Sequence, residues 1–188
     1  MPMVMEQRRK IVPLARGAVL EIGCGAGANF SLYEPGRVSS VDAIEPSPEL
    51  LERARGAVPA GAIDFRVQSG VGETLPFADG SFDCVVFTYT LCSVDDPASV
   101  LKEAHRVLKP GGSLLFLEHG ATPRESINRW QRRLDHVWPR IMGNCHLSRP
   151  VTRPFQECGF EIAHKDGAFV EGAPRFAGWM EWGDARAI

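Results

Sequence analysis

Short apolar runs alternate with amphipathic stretches along most of the chain, and the alternation predicts a repeated strand–turn–helix order. Ala18-Val19-Leu20-Glu21-Ile22 stops at a glycine cluster, as a strand buried on both faces does. Val38 to Ile44 predicts a second strand. Ser47-Pro48-Glu49 then supplies an N-cap hydroxyl and a first-turn proline ahead of apolar Leu50, Leu51 and Ala54. Ala62 to Val67 is a third strand, and Phe82 to Thr88, apolar on both faces, is a central fourth. Asp96-Pro97 opens a helix with the stripe Val100, Leu101, Ala104, Val107 and Leu108, which Lys109-Pro110-Gly111-Gly112 closes. Ser113 to Glu118 follows as a fifth strand. Thr122-Pro123-Arg124-Glu125 reads as a capping box before an amphipathic helix carrying Ile127, Trp130, Leu134 and Val137, ended or kinked at Pro139. A short helix around Phe155 precedes late strands at Glu161 to His164 and Phe176 to Trp182. Alternating β and α predicts an α/β fold, a mostly parallel sheet with helices on both faces.

Composition narrows this picture by exclusion. The chain has 188 residues, 44% hydrophobic and 23% charged, which suits one globular domain and excludes a disordered or fibrous chain. The expected division is a lead-in helix over 1–17, a ligand-binding core over 18–120, and a second side of the site over 121–188. A net charge of −2 argues against nucleic acid as a partner. Apolar runs are too short to span a bilayer, and Met1 to Gly17 holds Arg8, Arg9 and Lys10 with no apolar stretch behind them, so no signal peptide is expected. Cys24, Cys84, Cys92, Cys145 and Cys158 are odd in number and lack CxxC spacing. They predict reduced thiols in a cytoplasmic protein rather than a disulfide framework or a zinc site.

The chemistry begins at Glu21-Ile22-Gly23-Cys24-Gly25-Ala26-Gly27, where the first strand meets a turn that is expected to lead into a helix. In such folds ligands bind at the carboxyl ends of the strands, and glycines let the backbone approach them. The next helix N-terminus offers free N–H groups to an anion. Glu45, at the end of the second strand, can accept hydrogen bonds from ribose hydroxyls, although it also suits the start of the helix after Ser47. Together the two elements fit an adenosine-containing ligand with an anionic end. Gly23 to Ala28 also permits a G-x-G-x-x-A reading, so a nicotinamide-dependent oxidoreductase stays open, as does a non-catalytic binding module.

Four blocks resemble the class I S-adenosylmethionine-dependent methyltransferases of the ubiquinone/menaquinone-biosynthesis type. They are Glu21-x-Gly23-x-Gly25-x-Gly27, Glu45, Leu75-Pro76-Phe77-x-Asp79-x-Ser81-Phe82-Asp83, and Arg106-x-Leu108-Lys109-Pro110-Gly111-Gly112, in the family's order. The resemblance implies a Rossmann-like, seven-stranded sheet with a reversed final strand. It implies that the glycine loop holds the methionine part of the cofactor, Glu45 the ribose, and the segment before Leu75 the adenine. Carried onto this chain, the cofactor residues are Glu21, Gly23, Cys24, Gly25, Gly27, Asn29, Glu45, Pro46, Ser47, Gly72, Glu73, Thr88, Leu91 and Cys92. Many members carry an acid where Val71 stands here, which shifts adenine recognition to Gly72 and Glu73. A narrower resemblance, carried by Leu91-Cys92-Ser93-Val94, Glu118-His119, Leu134-Asp135-x-x-Trp138 and Gly143-Asn144-Cys145-x-Leu147, is to the animal methyltransferase-like proteins that methylate alkyl thiols. Quinone C-methyltransferases and phospholipid N-methyltransferases share the same core.

A thiol acceptor needs little base catalysis, because a pKa near 8.5 already leaves some thiolate at neutral pH. The acceptor pocket is expected between Tyr89 to Val94, Glu118-His119 and the helix from Glu125 to Trp138. His119 is the candidate base, with a loop-binding histidine as the alternative. Asp135 with His136 is a second candidate pair, with solvated charge as its alternative. Cys92, Cys145, Trp130 and Trp138 either line the pocket or pack in the core. No metal is expected. Arg124, Arg129, Arg132, Arg133 and Arg140 make one basic helix, read as a solvated face or as a handle for an acidic substrate or a membrane surface; an RNA methyltransferase would use it too.

Overall fold

The apolar runs become the strands of a seven-stranded sheet in the computed structural model, which describes residues 2–188; Met1, the first residue of the expected lead-in, lies outside them. The strands are β1 (Gly17–Ile22), β2 (Val38–Glu45), β3 (Asp64–Ser69), β4 (Phe82–Thr88), β5 (Leu108–His119), β6 (Phe160–Phe169) and β7 (Trp179–Ala187). Their order is β3-β2-β1-β4-β5-β7-β6. β1 to β5 run parallel, and β7 lies antiparallel to both of its neighbours. The reversal of order beside β1, with β2 on one side and β4 on the other, opens a crevice at the strand carboxyl ends.

The helices are α1 (Pro2–Ile11), α2 (Pro48–Gly56), α3 (Pro97–Val107), α4 (Glu125–Leu134), α5 (Trp138–Ile141) and α6 (Arg153–Glu157). Alternation along the strands divides the core in two. Val85 and Phe87 of β4 point with Leu20, Ile22, Leu114 and Phe116 toward Val100, Leu101 and Ala104 of α3 and Phe155 of α6. Cys84 and Val86 point the other way, with Val19, Val41 and Leu115, toward Ile11 of α1, Phe30 and Tyr33. Among the described residues no helix is long and apolar enough to cross a membrane.

Three expectations change. The turn after β1 leads into a 3₁₀ turn at Phe30–Leu32 rather than an α-helix, because Gly27 is left-handed (φ 78°) and Pro35-Gly36 follows within a turn of the next strand. Leu108 leaves the helix stripe and pairs with Phe82, so β5 begins before the Lys109 to Gly112 segment. The Thr122 capping box does not form: Arg124 is the N-cap of α4 with no side-chain cap, the helix ends at Leu134, and Pro139 opens α5 instead of kinking α4. The later strands also move: β6 runs on to Phe169, and β7 starts at Trp179, inside the expected Phe176 to Trp182, and runs on to Ala187.

The Leu75 to Asp83 block has a structural office. Arg106 of α3 donates to the carbonyls of Leu75 (3.1 Å) and Phe77 (2.8 Å) and to Asp79 (2.7 Å), while Glu103 accepts from the Leu75 N–H (2.7 Å). One guanidinium fork therefore satisfies the carbonyls of a loop that has no ladder partner.

Candidate functional site

At the end of β1, Gly23, Gly25 and Gly27 all adopt left-handed backbone (φ 71°, 57° and 78°), a shape that a side chain would strain. A Cβ on Gly23 would lie 2.7 Å from a Thr90 methyl, whereas Gly25 faces open space. The N–H groups of Gly23 and Cys24 are tied to the Ile44 carbonyl, which fixes the turn to β2. Glu45 locks it further. Its carboxylate accepts from the Gly25 N–H and from the Ser47 N–H, both at 2.9 Å, and it is buried. A carboxylate offers about four lone-pair sites, so this brace leaves capacity for further donors. Ser47 itself caps α2 through Leu50 N (3.4 Å).

These groups border a cavity of about 550 Å³, within the size range of small-molecule sites. Its wall includes Gly23, Cys24, Gly25, Ala26, Glu45, Pro46, Leu50, the 70–73 segment, Thr88, Tyr89, Thr90 and Arg8. Ser93, Val94, Asp95 and Gly143 close another side. Gly72 is held against the core, since a Cβ there would meet Ile22 at 2.9 Å, and Glu73 reaches the Asp96 N–H (3.4 Å) at the start of α3.

Arg8 was not among the residues that the sequence marked. α1 carries it into the wall, where Nη1 donates to Asn29 Oδ1 and Thr88 Oγ1, both at 2.6 Å, and the guanidinium lies 5.1 Å from the Tyr89 ring centre. Burial lowers its pKa, against the pull of Glu21. Arg8 Nε and the Tyr89 hydroxyl are buried without partners, and Tyr89 is itself left-handed (φ 60°). Unpaired polar atoms and backbone strain gathered on one wall are what a site kept for a polar ligand shows.

Behind this wall lies Glu21. Its carboxylate accepts from Asn29 Nδ2 (2.9 Å) and the Tyr33 hydroxyl (2.7 Å) and does not border the cavity, so Glu21 and Asn29 orient Arg8 and Thr88 from behind. Desolvation pushes its carboxyl up to about 7, against the Tyr33 hydrogen bond and the Arg8 charge. Because the folded value exceeds the unfolded 4.5, the native state binds the extra proton between the two. Relative to Glu21→Gln, the wild type should therefore lose about 3 kcal/mol of stability as pH rises from about 4.5 to about 7, and little beyond. Denaturant unfolding of both proteins across that window checks this; parallel pH profiles would refute it.

At the β5 end, buried Glu118 accepts from the N–H groups of Thr90 (2.8 Å), Leu91 (3.1 Å) and Cys92 (3.2 Å) and so holds the turn after β4. Burial pushes its carboxyl well above the usual range. The 143–149 segment wraps the same turn. Asn144 donates to the Ser93 carbonyl (2.8 Å), the His146 N–H to Cys92 (2.8 Å), and Arg149 to Leu91 and Val94 (2.7 and 2.8 Å). Leu91 and Cys92 thus contribute backbone to the turn and not to the cavity wall.

His119 is buried, with Nδ1 3.4 Å from Cys145 Sγ and Nε2 unpartnered. It lies one layer behind the wall that Ser93 and Gly143 form. Burial lowers its pKa, which keeps the ring neutral at pH 7. Asp135 does not line the cavity and makes no hydrogen bond to His119. It accepts from the backbone of Leu147 (2.6 Å) and Ser148 (2.9 Å) and from the Ser148 hydroxyl, anchoring the 143–149 segment, while His136 is exposed. Cys145 touches His119, Trp138 stacks edge-on to Phe176 at 5.7 Å, and Trp130 points to solvent, 59% exposed. The signal that could have found Arg8 is helical spacing: Val4, Arg8 and Ile11 share a face, which leaves Arg9 and Lys10 outside.

Residues 20–116, more than half of the chain, match the family model described as "Methyltransferase domain". Thiol S-methyltransferase TMT1B of Rattus norvegicus is 39% identical over 146 residues, covering 76% of this chain and 59% of that protein. Thiol S-methyltransferase TMT1A of Homo sapiens is 36% identical over 152 residues, covering 79% and 62%. The chain thus spans about three fifths of the length of these relatives. Among solved structures, a SAM-dependent methyltransferase of Methanosarcina mazei superposes with a TM-score of 0.69 at 25% identity, over 91% of this chain and 92% of that one.

Proposed function

The chain belongs to the methyltransferase-domain family, and on that premise we propose that it is an S-adenosylmethionine-dependent methyltransferase whose acceptor is a small thiol. The observation that carries the cofactor assignment is the Glu45 brace. A buried carboxylate with spare acceptor capacity stands beside the glycine turn, and the Arg8 guanidinium lines the same cavity. These groups fit the cofactor's two polar ends. Glu45 would accept from the ribose hydroxyls, Arg8 would face the methionine carboxylate, and Leu50 with the 70–73 backbone would hold the adenine. When bound, S-adenosylmethionine supplies a methyl group on a sulfonium, open to in-line attack by an acceptor lone pair.

The chain's own contribution is binding, orientation and exclusion of water. Tyr89, Thr90, Ser93 and Gly143 form the wall against which an acceptor would lie, and Glu118 fixes that turn through three N–H groups. A thiol is the acceptor least dependent on a strong base, which suits a wall whose nearest imidazole, His119, lies one layer back. The names of the relatives at 36–39% identity support the same choice. A reducing, cytoplasmic setting belongs to this reading and is supported by five free thiols.

The test is S-adenosylhomocysteine release from the purified protein with small alkyl thiols, set beside a quinol, an amino-headgroup lipid and no acceptor. Thiol-dependent release is expected; release with the quinol or lipid alone would overturn the acceptor. His119 acts in this reading as a positioning residue through the 143–147 segment, not on the cofactor. His119→Ala should lower kcat about tenfold and raise KM for the thiol, leaving cofactor Kd unchanged. A wild-type rate would remove His119 from the mechanism.

A further inference from the structure

α4 buries only part of its expected stripe. The centre of its inward side is polar: Gln131, fully buried, donates to the carbonyls of Gly120 and Phe176 (both 3.1 Å), and Asn128 donates to that of Thr122 (3.1 Å). Of the expected stripe, Ile127 and Leu134 are half-buried, whereas Trp130 stands at the surface, and exposed apolar side chains recur at and beside α5. Trp130, Val137, Ile141 and Met142 are 59%, 56%, 67% and 51% exposed, half of the exposed large apolar side chains among the described residues. An apolar cluster of this kind on a folded chain marks a contact surface.

The charge around the cluster indicates what it contacts. Residues 124–142 hold five arginines against Glu125 and Asp135, in a chain whose net charge is −2. Glu125 pairs with Arg132 (2.7 Å), and Asp135 is consumed by the 147–148 backbone. Among the described residues Arg129, Arg133 and Arg140 have no carboxylate partner, and Arg133 lies 5.4 Å from the Trp130 ring centre. A second copy docked on this face by two-fold symmetry would set arginines against arginines. A layer of anionic headgroups over acyl chains matches both properties, with arginines at the phosphates and Trp130 and Ile141 below them.

We propose that the α4–α5 face is a peripheral docking surface for anionic lipid bilayers. Gly143, which follows the exposed Ile141-Met142, lines the cavity, so a docked protein would turn that side of its cavity toward the bilayer. Resting on the proposed thiol methylation, this makes lipid-soluble thiols the natural acceptor class; the docking itself does not depend on that reading.

The experiment is vesicle flotation of the full chain without cofactor, comparing phosphatidylcholine alone with phosphatidylcholine containing about a third phosphatidylserine. Wild type should float with the anionic vesicles at about 0.15 M salt and release at about 0.5 M. Trp130→Ser with Ile141→Ser should reduce partitioning at least about tenfold. Both side chains are exposed, so the variant should keep wild-type affinity for S-adenosylhomocysteine, which separates lost docking from lost fold. Absence of flotation on anionic vesicles would overturn the proposal, as would undiminished flotation of the variant. So would a dimer, seen by sedimentation, that the same two substitutions abolish.

Discussion

Glu45→Ala should weaken S-adenosylmethionine binding about a hundredfold, the largest loss expected of any single substitution here. A hydrogen bond to a charged acceptor contributes about 1.5–3 kcal/mol, and a ribose edge offers two donors to this carboxylate. The same substitution also frees the N–H groups of Gly25 and Ser47, which Glu45 now holds at 2.9 Å, so the glycine turn loses its tie to the α2 entry. Binding would fall for two reasons, and Glu45→Gln separates them. The amide keeps one acceptor oxygen and places an NH₂ against the other backbone N–H, so it should cost about tenfold while preserving most of the turn. Titration calorimetry on the three proteins is the check. An unchanged Kd for Glu45→Ala would remove the ribose assignment, whatever the catalytic rate.

Glu45 was legible because its place depends on short-range facts: the end of an apolar strand, a glycine turn on the strand before it, and a capped helix straight after. The strands were legible for the same reason. Phe82 to Thr88 is apolar at every second position on both faces, so any parallel partner buries it. The turn after β1 was harder, because whether a glycine-rich segment enters a helix depends on how little chain remains before β2. α4 was read with the correct period and part of its face: Ile127 and Leu134 turn half inward, and Trp130 does not. Period 3.6 marks a stripe, but the centre of the buried side is set by Gln131, whose amide donates to two carbonyls. His119 and Asp135 were found as residues but not as distances. One lies behind the cavity wall and the other anchors a loop, and the path of 143–149 follows from tertiary hydrogen bonds that spacing does not contain.

Arg8→Met is expected to weaken binding of S-adenosylhomocysteine about thirtyfold while leaving methylthioadenosine, which lacks the amino-acid end, within about twofold of wild type. The selectivity follows from where the guanidinium sits. It borders the cavity with Thr88 and Tyr89, and its Nε has no partner among the described residues. Methionine keeps the apolar stem that packs along α1 and removes the charge and the donors. Arg8→Lys restores the charge without the planar fork, so it should recover only part of the loss. The fold should survive, because the carboxylate left behind is not forced to stay ionised. Glu21 already titrates at about 7 with Arg8 in place, and losing that cation moves its pKa further up, so at neutral pH it takes a proton. The cost of a stranded buried charge, about 3–5 kcal/mol when neutralisation is impossible, is then largely avoided. Two linked readouts follow: ligand affinity falls in the analogue-specific manner, and the pH window over which Glu21 drains stability, still opening at about 4.5, extends to higher pH. If both ligands weaken equally in Arg8→Met, the residue shapes the cavity as a whole and does not receive the carboxylate.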